Sequence, residues 1–130
     1  MDPLFPPFVD ALPRPDSPFA IDARIVPSEH ALTMFYTVPE ETEIPEHAHG
    51  PQWGVVLAGS MEMVIGGVAR TYRSGEYYLV EEGVPHVTRI HAGYSGIDVF
   101  ADAHRYEPKP DGTAPGERIG GGLGSGGDAR

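Results

Sequence analysis

The chain has 130 residues, 19 acidic side chains against nine Lys plus Arg, and no cysteine. This length supports one domain around one core, and a formal net charge of −10 repels phosphate backbones and anionic bilayers, setting nucleic acid and membrane aside as partners. Without cysteine there is no disulfide scaffold, thiol nucleophile or cysteine zinc site, and without a long apolar run or a basic leader after Met-Asp-Pro a cytoplasmic location is expected.

Seventeen glycines and 14 prolines punctuate the chain, and no long window keeps a period near 3.6, so little helix is expected. Residues 1–20 hold six prolines among Leu4, Phe5, Phe8, Val9, Leu12 and Phe19. That density forbids a long helix or a central strand, and the phenylalanines suggest an arm packed on the barrel or on a partner subunit. Residues 21–107 read as short strands joined by turns. Strands are expected at Ala31–Val38, Trp53–Leu57, Met61–Ile65, Val68–Tyr72, Glu76–Val80, Val87–His91 and Ser95–Ala101, and Glu40–Glu46, with four acids, as a solvated loop. Gly66-Gly67 supplies the positive φ angles of a two-residue hairpin turn. Closely spaced short strands indicate an all-β sandwich or barrel. From 108 to 130 the chain reads as a Gly/Pro-rich flexible tail. Its Gly122-Leu-Gly124-Ser-Gly-Gly127 run matches a dinucleotide fingerprint in letters only, with no strand before it and no βαβ unit around it.

The chemistry concentrates in His47-Ala-His49-Gly-Pro-Gln52, with His86 following 34 residues after Gln52. His-x-His on an extended segment turns both imidazoles to one face. Gln52 can bring a carbonyl oxygen to the same point after the Gly-Pro bend, and His86, after Gly83-Val-Pro85, can come from a facing strand. Nitrogen and amide-oxygen donors suit one divalent ion per chain, zinc or nickel first, then iron, manganese or cobalt.

Residues 41–59, E-T-E-I-P-E-H-A-H-G-P-Q-W-G-V-V-L-A-G, and 75–90, G-E-Y-Y-L-V-E-E-G-V-P-H-V-T-R-I, resemble the two motifs of the cupin superfamily, G-x5-H-x-H-x3–4-E-x6-G and G-x5-P-x-G-x2-H-x3-N. The resemblance implies an all-β jelly roll, the double-stranded β-helix, with His47, His49, Gln52 and His86 as metal ligands. Glu41 stands for the opening glycine, Glu81 for the proline, Ile90 for the asparagine, and Gln52 for the usual glutamate. Small cupins with three histidines and a glutamine include aromatic polyketide cyclases and cupins that open unsaturated uronate sugars. Q-W-G-V-V-L-A-G and I-D-V-F-A-D-A-H-R-Y look more like the cyclases.

A glutamine ligand adds no charge, so the ion keeps its full positive charge and acts as a Lewis acid on a carbonyl, enolate or phenolate. The expected function is a redox-neutral cyclisation, isomerisation or dehydration of a small aromatic or poly-ketone substrate. The alternatives are a uronate-processing cupin, a metal-dependent dioxygenase and a non-catalytic binding cupin. By strand alternation Val56, Thr88 and Ile90 join the pocket. Asp98, between Ile97 and Val99, is the candidate acid or base, and its bland alternative is a wet-face or arginine-paired carboxylate. Tyr36 is a candidate hydrogen-bond donor, as is one of the adjacent Tyr77 and Tyr78. Trp53 should face outward, and His30, His91 and His104 should be surface or packing residues. Exposed barrel edges and the apolar arm point to a homodimer.

Overall fold

The structure is a computed structural model and describes residues 1–109. The remainder of the expected tail, including its glycine-rich run at 122–127, lies outside the described residues. After a single helical turn, α1 (Pro7–Asp10), come nine strands: β1 (Asp22–Pro27), β2 (Leu32–Val38), β3 (Thr42–His47), β4 (Gln52–Ala58), β5 (Ser60–Ile65), β6 (Val68–Arg73), β7 (Tyr77–Val80), β8 (His86–Ile90) and β9 (Tyr94–Phe100). They form two antiparallel sheets, ordered β1-β2-β9-β4-β7 and β3-β8-β5-β6. The expected jelly roll is present.

Period-two alternation builds the core. In β2, Leu32, Met34, Tyr36 and Val38 are buried while Thr33, Phe35 and Thr37 are half-buried on the other side. In β8, His86, Thr88 and Ile90 point inward. The β5–β6 hairpin turns on Gly66 and Gly67, with φ of 56° and 84°, the left-handed region that a two-residue hairpin turn needs and that glycine enters without steric cost.

Two segments correct the sequence reading. Thr42–His47 is a strand rather than a solvated loop, pairing with β8 through Thr42↔Ile90, Glu43↔Arg89 and Ile44↔Thr88. Its acids stand on the wet side of an edge strand, where Arg89 reaches Glu43 at 3.4 Å and His91 reaches Glu41 at 3.4 Å. Cross-strand partners from 50 residues away do not appear in a local window. β1 was likewise not picked out as a strand. Ala23 and Ile25 face the core, while Arg24 lies on the opposite side, where the arm leaves this charged side chain only 2 % exposed.

Arg24 explains how the arm is held. Its guanidinium donates to Asp10 Oδ1 at 2.6 Å, to the Asp10 carbonyl at 2.8 Å and to Asp22 Oδ1 at 2.6 Å. Asp2 N–H donates to Thr37 Oγ1, and Phe5 meets the Phe35 ring edge-on. The arm thus packs on its own barrel. It also pairs with the segment after β9: Asp16 N–H donates to the Glu107 carbonyl at 2.8 Å and Lys109 N–H to the Arg14 carbonyl at 2.9 Å, around a Pro15–Pro108 bridge.

Burial opposes ionisation of Asp22, but hydrogen bonds from the terminal amine and Arg24, with the Arg24 charge, outweigh it and hold its pKa below the ordinary aspartate range. The stabilisation is therefore complete above the unfolded pKa and is lost as pH falls through the lower folded value. Arg24→Ala removes the donor that ties α1 to β1 and should destabilise the fold by about 2 kcal/mol, read as a lower midpoint in urea at unchanged slope.

Candidate metal centre

His47 ends β3, His49 lies in the loop that follows, and His86 begins β8, opposite His47 in the register. A bulge between Ile44 and His47 re-aims the end of β3 toward the barrel interior. One ligand nitrogen from each ring lies within 4.8 Å of the others, and the ring centroids are 5.0, 4.2 and 4.9 Å apart.

The tautomers follow from the hydrogen bonds. Each Nδ1 faces a backbone carbonyl: His47 to Pro45 at 2.9 Å, His49 to Gly50 at 2.7 Å and His86 to Val84 at 3.0 Å. A carbonyl only accepts, so each Nδ1 carries a proton, which leaves Nε2 as the nitrogen each ring would offer to a metal ion. Nε2 of His49 and of His86 are buried with no hydrogen-bond partner. Burial lowers the pKa of His49 to about 4, against the Gly50 carbonyl, which favours the charged ring, and with help from Arg105 and the other imidazoles. Burial also lowers that of His86 against the Val84 carbonyl, with His47 and Arg105 adding to the effect. Neutral rings with orphaned, converging lone pairs are the donor set a divalent cation takes. The three histidines could therefore hold a metal ion.

The opposite wall belongs to the other sheet. Gln52 (β4), Asp98 (β9), Tyr36 (β2) and Tyr78 (β7) are buried there and line the same cavity. Gln52 donates Nε2–H to Asp98 Oδ2 at 2.7 Å, which fixes the amide with Oε1 as its remaining acceptor. Tyr78 donates a short hydrogen bond to Asp98 Oδ1, and Tyr36 reaches both Asp98 oxygens, at 3.3 and 3.4 Å. Burial raises the Asp98 pKa to about 6, against the hydrogen bonds from Tyr78, Gln52 and Tyr36. Burial first, then the Asp98 charge, pushes Tyr36 and Tyr78 up. Asp98 is thus buried rather than on the wet face, and among the described residues no arginine pairs with it.

This contact gives Gln52 a reason. A glutamate there would set a second carboxylate against Asp98 in a buried pocket, a like-charge contact that disfavours ionisation of both. The amide turns repulsion into a hydrogen bond.

Thr88 and Ile90 line the cavity. Val56 does not: it is on the inner face, as alternation requires, but its depth along β4 places it in the packed core, fully buried. Of the adjacent tyrosines, Tyr78 faces in and Tyr77 out. Tyr78 sits opposite Gly54 in the β4–β7 register, and a Cβ at Gly54 would overlap Asp98 Oδ1 and the Tyr78 ring. Trp53 is exposed, and His30, His91 and His104 lie outside the cluster, beside Glu29, Glu41 with Glu62, and Glu107 respectively.

Arg105 escaped the sequence reading. It lines the cavity, its Nε is buried without a hydrogen-bond partner, and its guanidinium lies 4.6 Å from the Tyr106 ring centroid and 5.8 Å from that of Phe100. Its nearness to His49 and His86 is felt in their lowered basicity. It lies just before the segment that pairs with the arm, where Asp16 N–H donates to the Glu107 carbonyl, a contact between residues about 90 apart that no local pattern announces. The cavity volume is about 40 Å³, room for roughly three waters, beneath walls of Ile21, Met34, Ile44 and Tyr106.

Among known proteins, residues 34–93 match the cupin domain family. No curated protein matches the sequence. The fold is similar to an RmlC-like cupin from Shewanella frigidimarina (TM-score 0.63, 19 % identity, covering 72 % of this chain and 86 % of that one). It is similar to KdgF from a Halomonas species (0.60, 19 %, 75 % and 86 %). It also resembles part of oxalate decarboxylase OxdC from Bacillus subtilis (0.59, 20 %, 70 % and 28 %), a protein with Mn(II) centres. The cupin-domain match over residues 34–93, the similar folds of these structures and the histidine cluster at the motif positions agree with one another.

Proposed function

We propose that the chain is a metal-dependent enzyme that acts on a small, enolisable carbonyl compound bearing an anionic group, by a redox-neutral isomerisation, cyclisation or dehydration. One observation carries this reading: three imidazoles converge, two of them with buried Nε2 atoms that have no hydrogen-bond partner among the described residues, across the cavity from a buried, hydrogen-bonded carboxyl group. His47, His49 and His86, with Gln52 Oε1 as the candidate fourth donor, would hold the ion, which supplies Lewis-acid polarisation of a substrate oxygen. Zinc and nickel suit these donors, as do iron, cobalt and the manganese found in oxalate decarboxylase.

The chain's own residues supply the rest. Asp98 is the only carboxylate lining the cavity among the described residues, so a proton taken from or returned to substrate carbon passes through its oxygens. Tyr78, Tyr36 and Gln52 keep it oriented. Arg105 has a guanidinium without a carboxylate partner among the described residues. A cation beside a site of neutral ligands favours a substrate that brings negative charge to both. The apolar walls exclude water.

Two substrate classes offer enolisable carbonyls: the aromatic or poly-ketone compounds of the cyclase-like cupins and the unsaturated uronates. The narrow cavity and Arg105 favour the second, whose carboxylate provides the missing partner. The test starts with elemental analysis of protein purified without metal-affinity resin. The metal-loaded enzyme is then offered an unsaturated monouronate and a poly-β-ketone, with oxygen uptake recorded alongside. Turnover without oxygen consumption is expected, while oxygen consumed in step with product overturns the reading in favour of a dioxygenase. Asp98→Asn should keep its metal and lose about 100- to 10,000-fold in rate. A variant as fast as the parent removes Asp98 from the chemistry.

A further inference from the structure

The chain has four methionines, and the three that follow Met1 all line one cavity. Met34 comes from β2 and Met61 and Met63 from β5, so both sheets contribute. They are 4 %, 1 % and 3 % exposed, hidden from bulk solvent, and the space they face is the one the three histidines share.

The strand registers set them around the histidine cluster. Ile65 is the partner of His86 and Met63 that of Thr88. Met63 is therefore a diagonal neighbour of His86, about 7 Å away and within reach of a long side chain. Met61, the partner of Ile90, continues the same wall. Met34 is the partner of Asp98 on the opposite sheet. A wall that had only to be apolar and of this volume would accept leucine. A thioether differs in carrying a polarisable lone pair that takes up oxygen.

We propose that Met34, Met61 and Met63 form a metal-directed oxidation site, where hydrogen peroxide entering the cavity is polarised by the ion that His47, His49 and His86 hold and passes one oxygen to a neighbouring thioether. The inference rests on the metal part of the reading above and not on its substrate. The cavity of about 40 Å³ takes up a molecule of two oxygen atoms. The O–O bond breaks and an S–O bond forms. Sulfur gives up two electrons, and the second peroxide oxygen leaves as water with both protons. The sulfoxide is polar and sets an unpartnered acceptor in an apolar wall, so the oxidised barrel is less stable.

Met1 is the internal control. Its side chain is 2 % exposed, as hidden as the other three, and it lines no part of the cavity. No Lys or Arg lies between Ile25 and Arg70, so trypsin leaves the three cavity methionines on residues 25–70 and Met1 on another fragment. Protein loaded with iron(II) under nitrogen, and checked for metal content, is treated with equimolar hydrogen peroxide beside metal-free protein and iron-treated His86→Ala. Mass spectrometry should find oxygen added to residues 25–70 of the loaded protein at least about tenfold faster than to the Met1 fragment, since the oxidant is held beside its target. The metal-free protein and His86→Ala should show no such preference. The loaded parent should also lose melting temperature on treatment. A variant with Met34→Leu, Met61→Leu and Met63→Leu together should take up the same iron and keep its melting temperature. Equal oxidation of Met1 and residues 25–70 overturns the proposal, as does the same preference without metal, or an equal loss of melting temperature in the triple leucine variant. A chain that takes up no iron(II) overturns it as well, and elemental analysis after zinc loading then decides whether the metal reading falls with it. Iron uptake without the preference leaves that reading where it stands.

Discussion

If the three histidines hold a divalent ion, His86→Ala should abolish its binding and leave the barrel standing. His86 is buried and supplies one of two orphaned Nε2 atoms. Removing it deletes a third of the imidazole set and the partner closest to His47, 4.2 Å away between ring centroids. Even groups that only orient a metal ligand are worth roughly 10- to 100-fold in affinity, so loss of a ligand itself should weaken binding by more than about 100-fold. The apo fold suffers less, because the lost ring takes with it a buried acceptor that had no partner. Two measurements separate these effects. Elemental analysis should find the parent loaded and the variant empty. Melting curves should show the parent rising in Tm as zinc is added, by linkage, and the variant unmoved. His91→Ala, at a ring that pairs with the exposed Glu41 and Glu62 outside the cluster, should behave as the parent. A His86→Ala protein with full metal content would mean that the ion sits elsewhere.

Gly54→Ala should be the most damaging methyl group that can be added to the sheet. The new Cβ would fall on Asp98 Oδ1 and on the Tyr78 ring and hydroxyl. Tyr78 is 2 % exposed and packed edge-on against Tyr72 with centroids 5.4 Å apart, so it could yield only into the cavity, breaking its hydrogen bond to Asp98. Overpacking of this severity costs about 3 kcal/mol, on the order of 10 °C in Tm for a domain of this size. It should also displace Asp98 and so depress turnover beyond what the stability loss explains. Adding Tyr78→Leu to Gly54→Ala should recover part of the lost Tm, a coupling that two independent sites would not show. Equal melting temperatures for Gly54→Ala and the parent would mean that the close approach of Gly54, Asp98 and Tyr78 is not real.

Much of this arrangement was readable in advance, for physical reasons that also mark where reading stopped. Period-two burial and the Gly66-Gly67 turn are local, and they located seven of the strands to within one or two residues. His47, His49 and His86 were readable because metal ligation restricts residue type and spacing together. Thr42–His47 was missed because its one strong inward apolar residue, Ile44, is outnumbered by acids whose partners, Arg89 and His91, are distant in sequence. Asp98 stood out between two apolar neighbours. Gln52, Tyr36 and one of Tyr77 and Tyr78 were readable as pocket residues, but their meeting on Asp98 was not, since it arises only through three different strand registers. Arg105 depended on a contact between the two ends of the described chain, the least local feature of the fold.

The site is divided between the sheets. The histidine strands β3 and β8 belong to one, and Asp98 with its tyrosines and Gln52 belongs to the other. A molecule gripped from both walls is therefore a rivet through the sandwich, and the two sheets cannot part without releasing it. Its binding energy then becomes part of the folding energy, and each tenfold rise in its concentration above Kd adds about 1.4 kcal/mol. The barrel reports its own occupancy through the temperature at which it comes apart, whether or not the bound compound is ever turned over.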